Sequence, residues 1–230
     1  MQLASNAFNY IVNAASLSED EAYTVQYPIG LRADNSPLYH PKEYTKETYI
    51  HAYQSLVNFS LPRNGILTLT PLMEDAFKDL VSIVLHELPD KIADKKNVRI
   101  SMVLSCSTLE EVRSRTISWF INELSYESPK RYAEIVSNFF GFNLLDIPCF
   151  PQYRELKASR DVLVHNGGIA NSLYQEKAGD LARANPGNPL IVDIPYFLAS
   201  YENCLRLLDN MRANFHQKWP SQRFIDLGKK

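Results

Sequence analysis

The stretch Tyr153-Arg-Glu-Leu-Lys-Ala-Ser-Arg160-Asp-Val-Leu-Val-His165-Asn-Gly-Gly168 decides how the chain reads. Plotted at ~100° per residue as a helix, Arg154, Lys157, Asp161 and His165 fall on one face. Leu156 and Leu163 fall nearly opposite, where they can anchor the helix in a core. Gly167-Gly168 reads as the helix stop. Asp161 and His165 stand at i, i+4, so a carboxylate can meet and orient an imidazole. Arg160 lies to the side, between Leu156 and Val164, with a stem long enough to bring its guanidinium back to that face. The same residues also fit an ordinary solvated face with an i, i+4 ion pair.

Working outward, the chain reads as helix after helix. Tyr44 to Phe59 carries Tyr49, Tyr53, Leu56 and Val57 at helical spacing, and a break is expected at Pro62-Arg63-Asn64-Gly65. Thr70-Pro71 reads as a new helix start, with Thr70 as N-cap and a stripe of Phe77, Leu80, Val81, Val84, Leu85 and Leu88 before Pro89 stops it. Ser107-Thr-Leu-Glu110 reads as a capping box. Ser128-Pro129 opens a further helix that Gly141 closes. After a polar linker containing Asn185-Pro-Gly-Asn-Pro189, a last helix runs from about Tyr196 to Phe215. Residues 1–44 lack this periodicity and hold Tyr27-Pro28, Ser36-Pro37 and His40-Pro41, so they read as an irregular N-terminal arm with room for a short hairpin. The expectation is an all-α chain: an arm over 1–44 and a single α-helical domain over 45–230.

Bulk properties narrow the function. Of 230 residues, 45% are hydrophobic and 22% charged, ordinary globular values that argue against a disordered chain. No apolar run reaches the roughly 18–20 residues of a membrane span, and the N-terminus lacks the basic-then-apolar pattern of a secretory signal. A cytoplasmic protein that does not engage membranes is expected. The three cysteines, Cys106, Cys149 and Cys204, form no C-x-x-C pair and have no histidine at ligand spacing, so they read as small buried hydrophobes. His86-Glu87 lacks the second histidine of a zincin helix, and Walker, G-x-G-x-x-G and G-x-S-x-G loops are absent from the sequence. A net charge of −2 argues against broad phosphate-driven nucleic-acid binding.

The run Glu155-Leu-Lys-Ala-Ser-Arg160-Asp-Val-Leu-Val-His165-Asn-Gly-Gly-Ile resembles the Arg-polar-x(3–5)-His signature of the HEPN superfamily. Tyr174 and Lys177 after it, and Phe77 with Leu85-His-Glu-Leu-Pro89 before it, are similar to one prokaryotic branch. The resemblance covers roughly residues 70–215 and leaves 1–44 outside.

It implies an antiparallel helical bundle that homodimerises, with a composite active site built from one Arg–His motif of each protomer. Many members of the family are metal-independent endoribonucleases, among them toxins and defence effectors. Others are non-catalytic interaction or nucleotide-binding modules, which is the alternative here. RNA supplies its own 2′-OH nucleophile, so neither metal nor cofactor is expected. His165 would move the proton, Arg160 would meet the phosphoryl charge, Asp161 would orient His165, and Asn166 would donate to a phosphate or base. The products would carry 2′,3′-cyclic phosphate and 5′-OH ends. Arg154, Lys157 and Lys177 are the candidates for a substrate-binding basic groove, and each also fits a solvated surface. An antitoxin or nucleotidyltransferase-type partner goes with the toxin reading. Family members commonly carry asparagine where this chain has Asp161, which adds negative charge beside the scissile phosphate.

Overall fold

The computed structural model describes residues 23–93 and 98–219. The fold is all-α, with one two-stranded antiparallel sheet among the described residues. Contacts divide the described residues into two compact units, one of residues up to 64 with 192–194, the other of residues from 65 to 191 with those from 195 onward.

In the first unit, where the sequence shows no helical periodicity, strands β1 (Tyr23–Leu31) and β2 (Pro37–Tyr44) form a hairpin. Its turn is built by short polar residues. Asn35 takes the left-handed conformation (φ +63°), and the Asp34 carboxylate accepts from the Ser36 amide at 2.9 Å and the Ser36 hydroxyl at 2.6 Å. These bonds hold the Asp34 carboxyl below its ordinary range. Prolines are tolerated because each strand has an open edge, and the register shifts between Pro28 and Gly30. Residues 1–22 of the arm lie outside the described residues. Helix α1 (Lys46–Ser55) follows, capped by Thr45, whose hydroxyl accepts from the Thr48 amide.

The expected break at Pro62–Gly65 and the expected helix start at Thr70-Pro71 do not occur. One helix, α2 (Leu61–Glu87), runs through all of them. Pro62 lies just after a π-helical turn, Leu56–Ser60, that runs directly into α2, so its missing N–H forfeits one bond of a continuous helical run. Gly65 is there for packing: a Cβ on it would collide with the Phe197 ring. Pro71 forfeits one helical hydrogen bond, and Thr70 turns its hydroxyl back to the Ile66 carbonyl at 3.2 Å instead of capping. The Phe77, Val81, Val84 and Leu85 stripe is buried as the periodicity requires.

Two short helices follow, α3 (Asp90–Ala93) and α4 (Ile100–Leu104). Helix α5 (Leu109–Leu124) starts one residue later than the expected box. Thr108 is the N-cap, accepting from Glu111, while Glu111 accepts from the Ser107 amide. Helix α6 (Pro129–Phe140) is capped by Ser128 and closed by Gly141 at φ +75°. Helix α7 (Phe150–His165), α8 (Ser172–Ala178) and α9 (Ile194–Lys218) complete the second unit. Aromatic edges tie it together: Phe77 against Tyr153 (5.2 Å), Phe120 against Phe139 (5.4 Å) and Phe140 against Phe215 (4.6 Å). Asn203 of α9 donates to the Cys149 carbonyl just before α7. Among the described residues, no helix is long and apolar enough to cross a membrane.

Candidate functional site

Helix α7 carries the site because its two sides do different work. Ala158 and Val162 pack with Ala170, Tyr174, Ala178 and Leu190, the alanines leaving room for the fully buried Tyr174 ring. Past His165 the chain reverses through Gly167 and Gly168, both at positive φ, and the Gly168 amide returns to the Val162 carbonyl at 3.1 Å. The Ala170 amide then donates to the Asn188 carbonyl and the Leu190 amide to the Gly168 carbonyl, an isolated bridge that ties the chain after α7 to the 188–190 segment.

On the outer side, Asp161 does not meet His165. Its Oδ2 accepts from Lys177 Nζ at 3.0 Å, and its Oδ1 lies 3.4 Å from an Arg160 nitrogen. Lysine reaches further from α8 than histidine does along α7, so the carboxylate bridges two cations. His165 is exposed on the final turn and, among the described residues, takes no hydrogen bond or ion pair. Arg160 and His165 stand ~140° apart around the axis, so within one chain they face different directions.

The expected basic groove is largely engaged in the fold. Arg154 donates to the Lys177 carbonyl at 3.0 Å, closing the C-terminus of α8. Lys157 pairs with Glu74 of α2 at 2.9 Å. The Asn166 side chain donates to the Ile169 carbonyl and shapes the turn.

Sequence reading missed the most elaborate feature of the helix. Glu155, only 5% exposed, accepts from Ser159 (2.6 Å), Tyr174 (2.9 Å) and Arg183 (3.0 Å) through Oε1, and from Tyr196 (2.8 Å) through Oε2. Arg183 also donates to Ser159 and to the Ile191 carbonyl, and lies over the Tyr196 ring at 3.4 Å. Burial, then the Glu155 charge, push the Tyr196 hydroxyl well above its ordinary pKa. A signal existed: Glu155 and Ser159 flank Ala158 and Val162 on an apolar side, where a carboxylate needs a partner. The partner itself, Arg183, sits in a polar linker with no pattern to mark it.

No family model, curated protein or solved structure matches this chain. Among the described residues, no three histidine, cysteine, aspartate or glutamate side chains are grouped to hold a metal ion.

Proposed function

We propose that the chain is a metal-independent endoribonuclease of HEPN type, active as a homodimer, that cleaves RNA by 2′-OH attack. The observation that supports this reading is an exposed, uncommitted His165 at the end of a helix whose preceding turns present Arg160. Imidazole can accept the 2′-hydroxyl proton or protonate the 5′-oxygen, and guanidinium can meet the phosphoryl charge that builds between them. Because Arg160 and His165 diverge within one chain, a second copy is needed to bring both kinds of group around one phosphate. Asp161, tied to Lys177 and Arg160, is read here as a residue that positions those cations and not as the orienter of His165. A toxin or defence role, with an antitoxin or nucleotidyltransferase-type partner, belongs to the same proposal.

The engagement of Arg154, Lys157 and Lys177 within the fold favours a second reading, a non-catalytic HEPN module that binds a partner or a nucleotide. Purified protein on a mixed RNA panel in EDTA separates the two. The nuclease reading expects cleavage with cyclic-phosphate ends, lowered at least ~100-fold by His165→Ala. A folded, dimeric wild type that cuts no RNA would leave the interaction module standing.

A further inference from the structure

Three charges meet where α7 and α8 run side by side, and they are unequally matched. Asp161 accepts from Lys177 Nζ through Oδ2 at 3.0 Å, within the ordinary range of a hydrogen bond. Its Oδ1 stands 3.4 Å from one Arg160 nitrogen, beyond that range and well beyond a charge-assisted bond. Adjacent residues on a helix do not face each other, so Arg160 approaches Asp161 only by bending its stem back. Arg160 makes no other hydrogen bond or ion pair among the described residues, and its side chain is 32% exposed. Most of the guanidinium fork is therefore open to water, and so to an anion.

Lys177 reaches Asp161 from a backbone that is fixed at both ends. The Asn171 side chain caps α8 by accepting from the Tyr174 amide at 2.8 Å, and Arg154 donates to the Lys177 carbonyl at 3.0 Å. The Tyr174 hydroxyl is tied to Glu155, and Ala178 is buried in the cluster with Ala158 and Val162. Two cations expected in a substrate groove thus form a chain within the fold, in which Arg154 holds Lys177 and Lys177 holds Asp161. Two cations and one carboxylate leave the group positive. Without Lys177, Arg160 and Asp161 form a neutral pair, and the carboxylate competes with any anion for the guanidinium.

We propose that Lys177 is a positioning residue for Arg160. It takes up the Asp161 charge, so that the carboxylate steers the guanidinium without capturing it and leaves the outer N–H groups to a phosphate. Phosphate as the ligand rests on the ribonuclease reading; the charge balance among the three side chains does not. A lysine that touched the phosphate itself would act by its own charge, whatever stood beside Arg160. A lysine that works through Asp161 becomes dispensable once that carboxylate is made neutral.

Titration of the full chain with inorganic phosphate, followed on the Arg160 Nε–Hε NMR signal, tests this, with Arg160→Lys assigning the signal. Lys177→Ala should weaken binding roughly threefold to tenfold, and Asp161→Asn alone should tighten it. The double variant carrying both changes should return to within about twofold of wild type. Failure of phosphate to move the wild-type Arg160 signal, indifference to Lys177→Ala, or a double variant as weak as Lys177→Ala overturns the proposal. The expected phosphate pattern in a protein that cuts no RNA would sink the nuclease reading and keep this one. RNA cleavage that ignores Lys177→Ala would do the reverse.

Discussion

Glu155 and Asp161 are carboxylates on the same helix, and both are ion-paired, yet their surroundings differ. The Glu155 side chain is 6% exposed and is met by four donor side chains. The Asp161 side chain is 29% exposed and pairs with lysine and arginine side chains that are each 32% exposed. In the first case water has been replaced by a fixed set of donors, so removing a member leaves others buried and unsatisfied. In the second, water stands ready to solvate whatever is released. One helix thus joins a rigid interior anchor to an adjustable outer surface, and the candidate chemistry sits on the adjustable side.

The largest test of this contrast is Glu155→Ala. It strands the Arg183 charge and the Tyr174 and Tyr196 hydroxyls, and is expected to cost about 3–5 kcal/mol, read as a lower urea midpoint. A loss below about 1 kcal/mol would mean that the network is solvated in solution and the contrast fails.

Alkaline titration is the intermediate test. Tyr196 has its folded pKa raised above the ordinary 10.0, so the folded state holds a proton that the unfolded state releases. Stability from this group is fully present below pH 10 and is lost as pH rises beyond it, by at most about 1.4 kcal/mol per pH unit. Cys204, buried and pushed up to about 12 from 9.0, adds a decline beginning near pH 9. Thermal midpoints measured across that range should fall, and Tyr196→Phe should remove one share of the part above pH 10, to which the buried Tyr132, Tyr153 and Tyr174 contribute in the same direction.

The smallest effect is expected on the outer side. A double-mutant cycle of Asp161→Ala with Lys177→Ala should give a coupling of about 1 kcal/mol or less, fading in high salt. A coupling of several kcal/mol would place Asp161 in the same class as Glu155.

Much of this was legible in the sequence where local physics decides the outcome. The Ser128 cap, the Gly141 stop, the Phe77–Leu85 stripe and the Gly167-Gly168 reversal all follow from short-range rules. The role of Gly65 within α2 was not legible, because it rests on Phe197 occupying the space a Cβ would fill, more than a hundred residues away. The Asp161–His165 pair failed for a related reason. Spacing shows which neighbours on a helix can meet, but Lys177 comes from another helix and offers the carboxylate a full charge. Arg183 and Tyr196 reach Glu155 across 28 and 41 residues of chain, distances over which no periodicity operates.

Those separations also set an order of events during synthesis. When α7 leaves the ribosome, Glu155 has only Ser159 beside it. Tyr174 follows, then Arg183, and Tyr196 later still. Until then the nascent helix has every reason to keep its carboxylate in water. The Glu155 network is complete only once the start of α9 has emerged.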